Sequence, residues 1–595
     1  MDSENLLGNG TLSSSSSESE KGKGGLRTMP FIIGTTLSLS FDIHNLNESL
    51  EKVASYGIMP NMILYLMQGY GMAIVEGTKV MNTWSAMCNV LSIFGAFISD
   101  SYLGRFLVIS IGSFSSLLGL TMLWLTAMIP ELRPSCEPFM LDCSSATAAQ
   151  LAVLFISMGL ISIGAGCIRP CSIAFGADQL TNKERSNDVR LLDSYFNWYY
   201  TSIALSTVIA LSVIVYILEN LGWKIGFGVP AVLMFISAVS FILGSPFYVK
   251  AKPGHSLLTS FVQVVVVAIK NRKLSLPDSL DQYYHERDSD LVVPTDSLRC
   301  LNKACIIRNP EAVSKPDGSV LDPWSQCTVG QVESLKSLLR VLPMWSTGIF
   351  MIATQAALST VQANTMDRRL FGNFQMPAGS FNLVIVITVL IIIPTYDRVM
   401  VPLLAKYVGM PRGFSCRSRM GIGLLFVCAS KATSAVVETM RRNTAIEEGF
   451  EDQPNAVIHM SVLWLVPEFV LLGIAEGFNP VGQVEFFYTY IPKSMSSFAM
   501  ALFTLQLAAV DIFGNVLVSI VDKGTSVRGN ESWLSTNINK GHLNYYYALL
   551  ACLGILNYFY FLVICWAYGP APEQKLEALA GKKEEQIDYV ELPTS

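Results

Sequence analysis

Apolar positions along the chain gather into blocks of roughly twenty residues, each closed by a shorter polar segment. A helix that crosses a bilayer needs ~20 predominantly apolar residues. Blocks of that length predict spans near 47–70, 79–99, 106–128, 148–174, 195–218 and 226–248. A second set falls near 337–360, 380–404, 420–440, 459–488, 497–520 and 545–568. Between the sets, 250–336 is polar, with Pro, Asp, Arg and Lys throughout. Within it, Phe261–Lys273 has the two-faced pattern of a helix that can lie on a membrane surface. Residues 1–28 carry Ser13 to Ser17 followed by Glu-Ser-Glu, the composition of a solvated acidic tail. No early apolar core marks a cleavable signal.

Six spans, a long central segment and six more is the layout of the major facilitator fold, an all-α membrane architecture of twelve helices in two related six-helix bundles. The expected organisation is a cytoplasmic tail over 1–28, a first bundle over 29–249, a central cytoplasmic loop over 250–336, a second bundle over 337–568 and a tail over 569–595. Lys and Arg in short loops set orientation. Lys183, Arg185 and Arg190 follow the fourth span, and Lys406, Arg412, Arg417 and Arg419 follow the eighth, whereas only Arg133 follows the third. Both termini are therefore expected in the cytoplasm, with Arg441 and Arg442 as exceptions on the outer side. The plasma membrane is the first expectation and an endomembrane the alternative.

Composition agrees with a bilayer protein. Hydrophobic residues make up 51% of the 595 and charged residues 15%, against about 25% charged in soluble domains. The net charge is −5, without the basic patch that nucleic-acid binding requires. Twelve cysteines include no CxxC pair, so no metal and no cofactor are expected. Cys136 and Cys143 share a short polar loop and can pair if it faces an oxidising compartment. Asn530-Glu-Ser532 is a glycosylation sequon in the last outer loop. No nucleophile–base pattern or phosphate loop points to an enzyme.

The charges inside the spans change the picture most. Glu48, Glu51 and Lys52 lie within about one helical turn of each other, at spacings that share a face. A charge at mid-bilayer costs at least ~2.5–3.5 kcal/mol, so such groups line wet interiors and mark ion or substrate paths. A mutually neutralised structural cluster is the alternative. The fourth span carries Arg169, the tenth Glu468, Glu476 and Glu485, and the eleventh Asp511. The fourth and tenth helices are repeat-related, so Arg169 is expected to meet a carboxylate such as Glu476, and its fork suits an anionic substrate group. A permanent structural ion pair is again the other reading. None of the five histidines sits mid-span, so any coupled protons would ride on carboxylates. Gly95, Asp100, Gly104 and Arg105 surround the turn after the second span, where glycines permit close helix approach and the charges can latch one conformation.

Several motifs resemble the plant nitrate/peptide transporter family, the proton-coupled oligopeptide transporter branch of the major facilitator superfamily. They are Glu48-x-x-Glu51-Lys52 with Tyr56-Gly57, Gly95 through Arg105, Phe175-Gly-Ala-Asp-Gln179, Phe196-Asn-Trp-Tyr-Tyr200, Met366-Asp-Arg368 and Gly473-Ile-Ala-Glu476. The resemblance implies proton-driven symport of nitrate, peptides or anionic metabolites and hormones. It maps proton coupling onto Glu48, Glu51 and Lys52, and substrate binding onto Arg169 and Glu476; Gln355 is a further substrate-binding candidate. A residue phosphorylated in one branch falls at Ser101, which makes a protein kinase a candidate partner.

Departures from the family pattern stand out. The first motif ends in Lys52 where Arg is usual. Ile352 to Ala357 lacks the histidine of the nitrate-binding branch, Glu468 stands where Gln is usual, and Asp511 is additional. Thr35 to Leu46 interrupts what is otherwise a continuous family helix from Met29. A kink, a looped-out segment and an artefact of sequence deduction are the three readings of that insert. The expected function is a proton-coupled symporter of a small anionic solute working by alternating access. The alternative is a solute-binding sensor or transport-inactive regulator in the membrane.

Overall fold

In the computed structural model of the protein, the described residues are 46–134, 146–180, 189–250, 257–276, 283–284, 294–307, 324–349, 356–372, 374–410, 413–491, 496–526 and 531–569. Ten helices among them are long and apolar enough to cross a membrane. Two of the twelve predicted spans are not among those ten. The first is α1, Leu46–Tyr70, whose early turns hold Glu48, Glu51 and Lys52. The seventh is described in two pieces, Val329–Ile349 and Ala356–Asn364, with 350–355 outside the described residues.

By contact the chain divides into two compact units. The first takes the described residues up to Gly71 and from Val90 to Gly254. The second takes Met72–Asn89 and those from His255 onward.

Unit one is built on α1, the later part of α2 (Ile74–Ile98), α3 (Arg105–Met128), α4 (Ala148–Leu180), α5 (Val189–Ile209, continuing through a π-turn to Asn220) and α6 (Gly222–Leu243). Its core joins Val108 and Ile109 of α3, Cys171 and Phe175 of α4, Tyr195 and Tyr199 of α5, Phe241 of α6 and Tyr248. Rings tie it together, as where Phe106 stacks on Phe241 at 5.4 Å between centroids. Lipid tails are as apolar as leucine, so helices in a bilayer associate through close packing of small residues. Gly95 shows this directly: a Cβ there would lie 2.2 Å from the Gly166 carbonyl oxygen. Pro170 sits four residues after Gly166 in α4 and lacks the N–H that would bond that carbonyl. Gly95→Val is therefore expected to wedge α2 off α4 and lower stability by ~1–3 kcal/mol, the usual range for overpacking. A fall in the thermal midpoint of the detergent-purified protein checks this, and an unchanged midpoint counts against the close approach.

Unit two holds α7 (Leu257–Lys270), α8 (Val329–Ile349), α9 (Ala356–Asn364), α10 (Asn382–Thr395), α11 (Cys416–Glu447), α12 (Val466–Tyr490), α13 (Ser496–Thr525) and α14 (Leu543–Tyr568). The amphipathic helix expected at Phe261–Lys273 is observed as α7, Leu257–Lys270. As α7 it buries Phe261, Val264, Val267 and Ala268 in a protein core with Val329, Val332, Phe486 and Phe487. Its opposite edge, with Val262, Val265, Ile269 and Lys270, stays exposed. Burial in the same region pushes the Cys305 thiol up to about 12 and the Cys327 thiol up to about 11. Neither is then a thiolate near neutral pH. The predicted tenth span differs at its start: Ile458–Ser461 is a short strand parallel to Met366–Asp367, and the helix proper begins at Val466.

Candidate functional site: buried charges in each unit

Helical spacing puts Glu48, Glu51, Lys52, Ser55 and Tyr56 on neighbouring ridges of α1, and all three charged groups are buried. Lys52 Nζ lies 3.6 Å from Glu48 Oε1. The Tyr199 hydroxyl of α5 donates to Glu48 Oε2 at 2.6 Å. Arg169 Nη2 of α4 lies 3.5 Å from Glu51 Oε1, and Ser55 Oγ donates to the same oxygen at 2.6 Å. The Tyr56 ring lies under both cations, 5.4 Å from Lys52 Nζ and 5.2 Å from the Arg169 guanidinium. Within unit one, the carboxylate that Arg169 pairs with is thus Glu51 of the first helix. Glu51 Oε2 is buried without a hydrogen-bond partner among the described residues.

Two carboxylates and two cations make this group neutral. Adding one proton to either carboxylate leaves one positive charge to be matched. The arrangement can therefore exchange a proton for an anionic group. Tyr199, Ser55 and Tyr56 were not singled out as site residues from sequence. Their signal was present: Tyr199 is the fourth residue of the specific Phe-Asn-Trp-Tyr-Tyr motif, and Ser55 and Tyr56 each lie four residues after a charged partner.

The turn after α2 is also resolved into contacts. Ser99–Leu103 forms a π-helical turn, and Gly104 at φ 76° starts α3 in a conformation that favours glycine. Arg105 Nε lies 3.3 Å from Asp100 Oδ1, and Arg105 Nη1 reaches Asp178 Oδ2 at 2.6 Å. Asp178 belongs to the Phe-Gly-Ala-Asp-Gln motif, so two motifs read separately in the sequence meet here. The next residue, Gln179, exchanges hydrogen bonds with the Val249 backbone at 2.8 and 3.0 Å. Ser101 Oγ is buried and has no hydrogen-bond partner among the described residues. A kinase would reach it only if the turn opened.

In unit two, Glu476 lies midway along α12. Glu485 meets Arg419 of α11. Asp511 of α13 is within hydrogen-bonding reach of Ser85 and Asn89. Glu468, which the sequence left without explanation, lies 3.3 Å from Lys431 Nζ of α11 and accepts the Ser359 hydroxyl of α9 at 3.2 Å. Lys431 was overlooked, although a lysine inside a predicted span is itself the signal. Arg441, expected on the outer side, is wholly buried and forks onto Glu438, two contacts of 2.8 Å each. Gln355, Cys136, Cys143, Asn530 and the insert up to Asn45 lie outside the described residues.

Comparison with known proteins bears on what this site belongs to. A family model described as PTR2, POT family, matches residues 106–534. The chain is 49% identical over 587 residues to Protein NRT1/ PTR FAMILY 1.2 of Arabidopsis thaliana, covering 96% of this chain and 95% of that protein. A crystal structure of an auto-inhibited POT family peptide transporter superposes with TM-score 0.66 at 18% identity, covering 92% of this chain and 98% of that one. A POT family transporter in complex with 5-aminolevulinic acid gives 0.59 at 16% identity, covering 92% and 96%. These likenesses establish the major facilitator fold that the six-plus-six layout predicted. Given the family match over most of its length, the chain belongs to the POT family, the NRT1/PTR group of multi-pass membrane transporters, and is not an enzyme.

Proposed function

We propose that the protein is a proton-coupled symporter of a small anionic solute, working by alternating access between its two bundles in the plasma membrane. The observation that carries the proposal is the neutral group formed by the buried Glu48, Glu51 and Lys52 with the half-buried Arg169. A structural ion pair is normally closed by hydrogen bonds to its remaining atoms. Here Glu51 Oε2 has none among the described residues, and the Arg169 side chain keeps 25% of its surface exposed. Protonation of Glu51 would release Arg169, whose fork then suits a carboxylate or similar oxyanion. Lys52 remains tied to Glu48, itself held by Tyr199. Glu476 and Gln355 are the proposed substrate-facing groups of the second bundle, and Gly95, Asp100, Gly104 and Arg105 the proposed gate. That a structural neighbour was solved with 5-aminolevulinic acid supports a small carboxylate as cargo.

Uptake into oocytes at acid and neutral external pH, over a panel of nitrate, dialanine and 5-aminolevulinate, tests this reading. At least one panel solute should accumulate more strongly at acid pH. Arg169→Gln should cut that uptake about tenfold or more, since a charge-assisted hydrogen bond contributes ~1.5–3 kcal/mol. Uptake indifferent to pH defeats the coupling. Solute binding without flux in liposomes would instead favour the sensor reading.

A further inference from the structure

Unit two contains a second buried carboxylate built like Glu51. Each has one oxygen that takes both a cation and a serine hydroxyl. For Glu51 these are Arg169 at 3.5 Å and Ser55 at 2.6 Å. For Glu468 they are Lys431 at 3.3 Å and Ser359 at 3.2 Å. In each the second oxygen is buried with no hydrogen-bond partner among the described residues. In each an aromatic ring stands by the cation: Tyr56 is 5.2 Å from Arg169 and Tyr547 is 5.5 Å from Lys431. The roles are redistributed over different helices, so this is a recurrence of local chemistry and not of sequence.

A buried ion pair of this kind is poorly explained as a stabilising device. Desolvation of two charges is offset only when geometry is good and the other lone pairs are satisfied. Glu468 and Lys431 are 1% and 2% exposed, and the carboxylate is half satisfied. The vacant oxygen can take a proton without breaking any contact that the pair makes.

We propose that Glu468 is a second proton-binding carboxylate of the protein, housed within unit two, with Lys431 as its exchangeable partner. The inference rests on the symporter reading for its purpose but not for its test. A hydronium ion gives its proton to Oε2, forming an O–H bond and leaving water, Lys431 keeps its own proton, and the pair passes from neutral to a net positive charge. That charge is what an anionic group would then match. The groups facing Glu468 are Lys431 on α11, Ser359 on α9 and Tyr547 on α14, whose hydroxyl donates to Gln362 at 3.4 Å. The neighbouring acid Glu438 is committed to Arg441. On α12 itself, Glu476 follows eight residues later, a rise of ~12 Å at 1.5 Å per residue.

Infrared difference spectroscopy of the purified protein in liposomes, without solute, tests this by comparing the protein at alkaline and at acidic pH. The native protein should show a protonated-carboxyl band on acidification. Glu468→Gln should remove one component of that band, and Glu51→Gln should leave that component in place. Should an unpartnered Lys431 prevent folding, the neutral pair Glu468→Gln with Lys431→Gln carries the same expectation. If neither folds, Glu468→Asp must shift the component. A native protein without the band, or a band unaltered by these changes at Glu468, overturns the proposal. Loss of the Glu51 component alone would leave the symporter reading standing while this one falls.

Discussion

Glu51→Gln should abolish accumulation driven by a pH gradient while the protein still reaches the membrane. Glutamine matches glutamate in shape and keeps an oxygen for the Ser55 hydroxyl, which donates to Glu51 at 2.6 Å. It can neither ionise nor pair with Arg169, which lies 3.5 Å away. The variant therefore mimics the protonated state permanently, and the cycle loses the step in which the proton leaves. Concentrative uptake of whichever panel solute the native protein accumulates should fall at least about tenfold, the factor for each ~1.4 kcal/mol of lost coupling. Downhill equilibration should survive, because Arg169 keeps its charge and its fork for an anionic group. Glu48→Gln makes the comparison sharper: it also loosens Lys52 and the Tyr199 hydrogen bond, so it should reduce surface protein as well as transport. Concentrative uptake by Glu51→Gln with native pH dependence would remove Glu51 from proton coupling.

Arg441→Ala should produce the largest loss of stability, and from a group with no proposed part in transport. Arg441 is 0% exposed. It forks onto Glu438 and also donates to Asn539 Oδ1 at 2.7 Å and the Ile538 carbonyl at 3.0 Å. Those contacts tie α11 to the segment just before α14. Alanine leaves Glu438 as a buried, uncompensated charge, which costs ~3–5 kcal/mol. Native proteins have only about 5–15 kcal/mol in hand, so the variant should lose most of its folded population on heating and little should reach the surface. Arg442→Ala is the control. It donates to the Gly541 carbonyl at 3.0 Å, and the loss of that hydrogen bond should cost about 1 kcal/mol. Thermal midpoints of the two purified variants decide the matter. Equal midpoints would mean that the Arg441 pair is dispensable.

What was legible along the chain follows from the lengths of its apolar runs and the price of charge in lipid. The third span was expected at 106–128 and α3 runs Arg105–Met128, because uninterrupted apolar sequence of bilayer length has few alternatives. The ninth was expected at 420–440, yet α11 runs Cys416–Glu447. Polar residues at helix ends carry no hydropathy signal, so hydropathy marks the lipid-facing middle of a helix and misses its ends. Glu48, Glu51 and Lys52 stood out for the same reason, since only an interior site explains three charges in one turn.

Partners were another matter. The sequence by itself determined the fold class, the family motifs and the burial of Glu48, Glu51 and Lys52, because charges set inside an apolar run must turn away from lipid. Only the tertiary structure decided which group each one meets. It gave Arg169 to Glu51, Arg105 to Asp178 and Lys431 to Glu468. Each of those pairs joins residues on different helices, separated by dozens of positions along the chain. The reach of a side chain is a few ångströms, and which helices come within that reach is settled by how their small and large residues pack, a property of surfaces brought together in three dimensions.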